Sequence, residues 1–257
     1  PLLTSCLTTL FGGTASKWIT ILILVVVCAT YTTSVMHGLK GVERLSNICM
    51  YLFGALLLYV LFAGGETRYI IESGFTALGN MVQNFIGMST WTDALRTSSF
   101  PQNWTIFYWA YWLVWCVARQ VIMGSYVFGV LSTIVSFIIL GNYGLGAQLS
   151  GKVDALGIFA STGDIYSAVM EIIKTIPLYG IVLVLIILSM VAFYASSFDS
   201  ITLVACQYSY IETDGMEASP KKMRLFWAIF LILLPIALIF SEGSMNNLQT
   251  VSIDRKS

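Results

Sequence analysis

Residues Pro177–Phe198 read PLYGIVLVLIILSMVAFYASSF and contain no charged side chain. As an α-helix this stretch would be about 33 Å long, which matches the roughly 30 Å of hydrocarbon in a bilayer. Apolar residues occupy nearly every position, so such a helix would have no broad polar face to turn toward water. The stretch therefore predicts a transmembrane helix.

Five other windows are also free of charged residues and are candidate spans, and the composition agrees with them. Hydrophobic residues make up 57% of the 257 residues and charged residues only 10%, whereas soluble domains average about a quarter charged residues. We therefore expect an all-α polytopic membrane protein. The five windows are Trp18–Met36, Leu45–Gly65, Trp104–Ala118, Gln120–Gly141 and Leu225–Ser241, and a seventh apolar segment, Ser244–Ile253, is cut off by Asp254, Arg255 and Lys256.

The segments between these windows indicate how the chain is oriented. Ile70–Met88 mixes apolar residues with Gly, Ser, Asn and Gln, which predicts an amphipathic helix at the membrane surface. The run Gly141–Gly146 predicts an extracellular turn, because no Lys-Ser or Lys-Thr pair follows to make a phosphate loop. Basic residues are denser in the short loops of one side, which is therefore favoured as cytoplasmic. That side carries Lys40, Arg44, Arg119, Lys221, Lys222 and Arg224, and the other carries Lys17, Arg68, Arg96, Lys152 and Lys174.

One junction between windows is physically difficult. Trp104–Ala118 would form only about 22 Å of helix, and the next apolar run begins directly after Arg119. Antiparallel helices cannot turn on so few residues, and one helix over Trp104–Gly141 would be too long for a single span. We therefore expect that residues are missing between Ala118 and Arg119.

Several classes of function find no support in the composition. The net charge is zero and no basic tract exceeds the cluster at residues 221–224, so nucleic acid is not an expected partner. The five cysteines (Cys6, Cys28, Cys49, Cys116 and Cys206) include no CxxC pair, and small core residues are expected. His37 is the only histidine, which excludes the common zinc sites and histidine-based triads. We expect neither an enzyme nor a bound cofactor.

Four of the seven tryptophans lie in the run NWTIFYWAYWLVW, residues 103–115. Helical spacing places Tyr108, Tyr111, Trp112 and Trp115 on one face, which would form an aromatic wall. One interpretation is an aromatic belt at the membrane surface, although these residues extend over about three turns. The other is a binding surface for a cation that carries methyl groups, since an aromatic face attracts such a cation without hydrogen bonds. The spacing alone leaves both open.

The segment FPQNWTIFYWAYW, residues 100–112, resembles the signature of the betaine/choline/carnitine transporter family, and the likeness continues to Ile253. The resemblance implies part of a twelve-helix, inverted-repeat (LeuT-like) secondary transporter of the plasma membrane. It also implies that this chain covers helices six to eleven of the twelve and the first turns of helix twelve. Residues 1–65 would end the first repeat, 66–100 would form the periplasmic amphipathic helix and its linker, and 101–257 would belong to the second repeat, with residues missing after 118 and truncation after 253.

The same resemblance assigns roles to the aromatic residues. Trp112 and Trp115 match aromatic residues of the central substrate site, and Phe107 and Trp104 match residues of the permeation path. Tyr111 stands where the family more often has tryptophan. Tyrosine keeps an aromatic ring face and adds a hydroxyl, so the expected class of substrate is unchanged but the preferred member of that class is in question. The implied partners are a small quaternary-ammonium solute (glycine betaine, choline or carnitine), the lipid bilayer and two further copies in a homotrimer.

Ser196 and Ser197 lie in the run YASSFDS, residues 194–200, where the predicted span ends. From the residues alone, an ordinary helix end with Ser196 bonded to its own backbone is an equal alternative. The resemblance implies that both hydroxyls bind a sodium ion. Sodium-independent exchangers of the family have an arginine at the position of Cys49 and an apolar residue at that of Ser197, so sodium coupling is expected. Asp199 is interpreted as a structural partner and not as a proton carrier.

The leading hypothesis is therefore sodium-coupled symport of a quaternary-ammonium solute. A sodium-independent exchanger of carnitine or betaine is the alternative within the family. No loop of the kind that forms a channel filter and no ring of like charges occurs, which disfavours an ion channel. A membrane scaffold without transport remains open, since the family's substrate site also needs helices three and four, which this chain does not contain. Solute flux separates these hypotheses.

Overall fold

The computed structural model describes residues 2–13, 17–91, 122–209 and 220–240, and regular structure within these ranges is helical throughout. Within the described ranges, Trp18–Met36, Leu39–Ala63, Gly129–Leu149 and Tyr179–Tyr208 are long and apolar enough to cross a membrane. The helices are α1 (Leu2–Phe11), α2 (Lys17–Met36), α3 (Leu39–Ala63), α4 (Thr67–Gln83), α5 (Phe85–Thr90), α6 (Ile122–Ser136), α7 (Asn142–Leu149), α8 (Ala155–Thr162), α9 (Ile165–Lys174), α10 (Tyr179–Tyr208) and α11 (Lys221–Phe240), with a π-helical segment at Phe137–Gly141. The polytopic all-α architecture is thus confirmed.

Four predicted windows correspond to helices long enough to cross a membrane, although the boundaries of Leu45–Gly65, Gln120–Gly141 and Pro177–Phe198 were wrong. Leu225–Ser241 corresponds to α11, and Trp104–Ala118 lies outside the described residues. The window expected to end at Phe198 continues as helix to Tyr208, because the polar side chains after Phe198 bond within the helix. Thr202 Oγ1 donates to the Phe198 carbonyl over 2.7 Å, and Ser200 Oγ donates to the Ser196 carbonyl over 2.9 Å. The window expected from Leu45 begins at Leu39, directly after Gly38, whose φ of 70° ends α2.

The predicted turn at Gly141–Gly146 was also wrong, because helix continues through this run from the π-helical segment into α7. Its glycine serves close packing instead. A Cβ on Gly146 would lie 2.9 Å from the Tyr69 ring, so only glycine lets α7 approach α4 here. Asn142 and Tyr143 beside it are buried.

The described residues form two compact units, and Val60–Ser150 makes up one of them. In this unit α4 packs against the π-helical segment and α7, where a Cβ on Gly74 would lie 2.5 Å from Ile138 Cγ2. Ser150 Oγ donates to Glu66 Oε1 over 3.0 Å. The helix predicted at Ile70–Met88 is confirmed as α4 and α5. Ile70 is buried and Phe75 is exposed, and the place of these helices at a membrane surface stays a prediction.

The other unit contains residues up to Tyr59 and residues from Gly151 onward. Its core lies between α2, α10 and α11 and contains Val27, Tyr31, Ala195, Ala228 and Ile232. The Tyr31 ring stacks on Phe198 with centroids 5.5 Å apart, and its hydroxyl donates to the Ala228 carbonyl. The described cysteines form no disulfide with one another, and Cys6, Cys49 and Cys206 are buried, as expected of small core residues.

Three short helices of this unit, α1, α8 and α9, were not predicted because none is long enough for a span. Asp154 and Asp164 cap α8 and α9, and Gly163 with φ of 66° forms the turn between them. The Ser167 hydroxyl and the Tyr166 backbone N–H hold the pKa of the Asp164 carboxyl below its usual value, since both bond to the ionised form. Such caps are readable from Asp-Ala and Gly-Asp-Ile sequences alone.

Candidate functional site

Ser196 and Ser197 lie inside α10, three turns before its end at Tyr208, and not at a helix terminus. Both hydroxyls donate to the Phe193 carbonyl, over 3.1 Å from Ser196 and 3.0 Å from Ser197. The backbone bonding expected in the alternative interpretation is therefore present. Ser196 is half-buried and Ser197 is exposed.

Donation to a backbone carbonyl does not prevent these hydroxyls from binding a cation. Each hydroxyl oxygen has two lone pairs in addition to its single proton. With the protons of Ser196 and Ser197 committed to the Phe193 carbonyl, the lone pairs are available to a hard cation, which oxygen ligands suit. The two hydroxyls could therefore supply part of the oxygen shell of a small monovalent ion.

The side chain of Cys49 in α3 lies next to this pair of hydroxyls. The Cys49 thiol, which is 4% exposed, lies close enough to the Ser196 side chain to interact with it. One turn further along α3, the Phe53 ring meets Phe193 edge-on with centroids 5.2 Å apart. At the other end of this antiparallel contact, Tyr59 Oη donates to the Pro177 carbonyl over 2.8 Å. Helix α3 thus holds Cys49 at the Ser196 turn.

Asp199, one turn after Ser196, is fully buried and bonded to side chains from two helices. Ser34 Oγ of α2 donates to its Oδ2 over 2.8 Å, and Ser200 Oγ lies 3.2 Å from its Oδ1. The expected structural role for Asp199 agrees with these contacts. Its principal partner is a side chain of another helix, which the local sequence could not indicate.

Arg224 is a second buried charge in this region and was interpreted from the sequence only as a sign of orientation. It is 5% exposed, and its Nη1 donates to the carbonyls of Val35 over 2.7 Å and Met36 over 3.4 Å. These carbonyls belong to the last turn of α2, where a cation compensates the negative end of the helix dipole. The contact also places the start of α11 at the same end of the helices as Lys40, near the start of α3. Arg224 and Lys40 were assigned to the same side of the membrane from the sequence.

The predicted aromatic site lies outside the described residues. This applies to Trp104, Phe107, Tyr108, Tyr111, Trp112 and Trp115, and also to the junction between Ala118 and Arg119. Their roles, and the division into inverted repeats, stay predictions. Of the predicted site, the structure describes Ser196 and Ser197 and brings Cys49, Asp199 and Ser34 into their neighbourhood.

Known transporters show extended similarity to the chain. It is 27% identical over 251 residues to a "Carnitine transporter" of Acinetobacter baumannii, which covers 91% of the chain and 45% of that protein. It is 30% identical over 250 residues to a "Probable glycine betaine transporter" of Desulfitobacterium hafniense, covering 90% and 48% respectively. A "Glycine betaine transporter" of Acinetobacter baylyi is 29% identical over 267 residues, covering 98% and 39%. The chain thus spans less than half the length of these curated relatives.

The family model described as "BCCT, betaine/carnitine/choline family transporter" matches residues 1–254. This range includes nearly every residue of the chain, both the described helices and the aromatic segment that carries the resemblance. The family contains integral plasma-membrane transporters and no enzymes, in agreement with the helices long enough to span a bilayer. The chain therefore belongs to the betaine/carnitine/choline transporter family.

Proposed function

We propose that the protein to which this chain belongs takes up a quaternary-ammonium solute by sodium-coupled secondary transport. The class of solute is supported by the names of the relatives, which are transporters of carnitine and glycine betaine. In this mechanism solute and ion bind near the middle of the membrane, and the protein alternates access to them. The solute would lie against the aromatic face that carries Trp112 and Trp115.

The observation that carries the choice of sodium is the contact between Cys49 and Ser196. An arginine at the position of Cys49 would bring a permanent positive charge to the hydroxyls of Ser196 and Ser197, in place of an ion. A cysteine brings no such charge, and the two hydroxyls keep lone pairs for a cation. This combination favours symport over the sodium-independent exchange that is the alternative within the family.

The decisive experiment is uptake by the complete protein reconstituted in liposomes. We expect saturable uptake of labelled glycine betaine, choline or carnitine when sodium is higher outside, and loss of that uptake when potassium replaces sodium. Saturable exchange that is indifferent to sodium would contradict the ion assignment but keep the solute class. Absence of flux for all three solutes would contradict transport and favour a scaffold.

Replacing Cys49 by arginine in the complete protein is expected to make uptake independent of sodium. The guanidinium would place a tethered charge beside Ser196 and compete with the ion, while solute binding at the aromatic face continues. The measurement is the ratio of initial uptake rates with and without sodium, which should fall to about one.

The matched control is Cys49→Ser, which keeps a small hydrogen-bonding side chain and adds no charge. Its uptake should retain the wild-type dependence on sodium. A Cys49→Arg protein that folds, transports and still requires sodium would show that the ion does not bind at Ser196 and Ser197.

A further inference from the structure

We propose that Asp199, held in place by Ser34 and Ser200, supplies the negative charge that sets the sodium affinity of the Ser196–Ser197 turn. The inference rests on the proposed function, because it concerns the same ion. Asp199 would contribute to sodium affinity through its charge and would not itself be a ligand of the ion. The juxtaposition that carries the inference is a fully buried carboxyl one helical turn after Ser196 and two positions after Ser197.

Helix geometry fixes the distance over which this charge acts. Residues three apart in a helix lie on the same face, with roughly 5–6 Å between their Cβ atoms. Asp199 follows Ser196 by three positions in α10, and Ser200 Oγ lies within hydrogen-bond distance of both the Ser196 carbonyl (2.9 Å) and Asp199 Oδ1 (3.2 Å), so its one proton is shared between them. The carboxylate and the ion-binding turn are therefore parts of one bonded segment.

The charge of Asp199 lacks direct neutralisation among the residues that the structure describes. Two ion pairs of the described ranges, Arg68–Glu72 and Lys174–Glu171, are exposed and do not involve Asp199. Arg224, the buried cation of this unit, directs its Nη1 to the carbonyls of Val35 and Met36. The partners recorded for Asp199 are the Ser34 hydroxyl and both the hydroxyl and the backbone N–H of Ser200, and none of them carries a charge.

An incompletely neutralised carboxylate in a buried place is unfavourable, and a cation nearby reduces that cost. A sodium ion at Ser196 and Ser197 would be such a cation, so its binding free energy includes attraction to Asp199. Ser34 belongs to α2 and donates over 2.8 Å, which keeps the carboxyl close to α2 and fixed relative to the turn. Removal of the charge should thus weaken sodium binding while the hydroxyl ligands remain.

The test compares variants of the complete protein by two readouts. One is the sodium concentration that gives half-maximal uptake, and the other is the sodium-dependent rise of the unfolding temperature in detergent, which requires no transport. We expect Asp199→Asn to raise the half-maximal sodium concentration by about tenfold, because a charge at this distance contributes on that order. Maximal uptake, and solute affinity at saturating sodium, should remain near wild type.

Ser34 variants give a test that keeps the carboxylate in the chain. Ser34→Ala removes the donor and should raise the half-maximal sodium concentration by a smaller factor, whereas Ser34→Thr keeps a hydroxyl and should restore it. The matched control is Thr202→Val, since Thr202 is fully buried in α10 and its hydroxyl bonds to the Phe198 carbonyl. That variant should leave sodium affinity unchanged.

The outcomes separate this inference from the proposed function. Wild-type uptake that ignores sodium would contradict the proposed function itself. Sodium-dependent wild-type uptake with unchanged sodium affinity in Asp199→Asn would overturn the inference alone. If Asp199→Asn does not fold, unchanged sodium affinity in Ser34→Ala overturns it in the same way. A lower maximal rate with unchanged sodium affinity would assign Asp199 a structural role only.

Discussion

Replacing Arg224 by methionine is expected to lower the free energy of unfolding by about 2–3 kcal/mol, the contribution of hydrogen bonds made by a charged group. Methionine keeps much of the apolar stem, so packing in α11 changes little. The carbonyls of Val35 and Met36 would lose the Nη1 donor, and the C-terminal end of α2 would lose its compensating charge. The measurement is reversible unfolding of the purified protein in mixed micelles of detergent.

Lys222→Met is the matched control, because Lys222 belongs to the same basic cluster but is exposed. Its effect should stay within about 0.5 kcal/mol, as is usual for surface substitutions. Arg224→Lys should lie between the two, since lysine keeps the charge but not the planar fork of donors. An Arg224→Met protein as stable as the wild type would show that water or lipid satisfies the end of α2.

The existence of the spans could be predicted from the sequence because a charge-free apolar run of about 20 residues matches the thickness of a bilayer and is rare in soluble domains. Their ends could not be predicted in the same way. Ser, Thr and Asp after Phe198 suggested a terminus, yet in α10 their side chains bond to the helix backbone or to Ser34 and leave the helix intact. The glycines after Leu140 suggested a turn, yet Gly146 provides room for Tyr69.

The candidate site was predictable only in part. Ser196 and Ser197 could be chosen through the family resemblance, and the two hydroxyls stand together in the sequence. Contacts between helices could not be predicted, since Ser34 and Asp199 are 165 positions apart in the sequence and Arg224 and Val35 are 189 apart. Local patterns carry no information on such pairs. An arginine or aspartate within an apolar run is nevertheless a signal that a buried partner exists.

Replacing Trp112 by alanine in the complete protein is expected to raise the solute concentration for half-maximal uptake about 30-fold. The face of a desolvated tryptophan contributes about 2 kcal/mol to binding a quaternary ammonium, and about 1.4 kcal/mol corresponds to a factor of ten. Trp115→Ala should act in the same direction, since Trp115 lies on the same predicted helix face. The measurement is uptake of labelled glycine betaine at saturating sodium.

Trp109 provides the matched control for this prediction, because it lies in the same aromatic run but outside the face formed by Tyr108, Tyr111, Trp112 and Trp115. Trp109→Ala should change the half-maximal concentration less than threefold, roughly the effect of a packing change. A competing solute with carbon in place of the quaternary nitrogen tests the physical cause. If attraction between cation and ring selects the solute, this neutral isostere should inhibit uptake by the wild type much less than the charged solute does. In Trp112→Ala, the charged and the neutral solutes should inhibit uptake more equally. Equal inhibition by the charged and neutral solutes would mean that shape, and not charge, is recognised at this face.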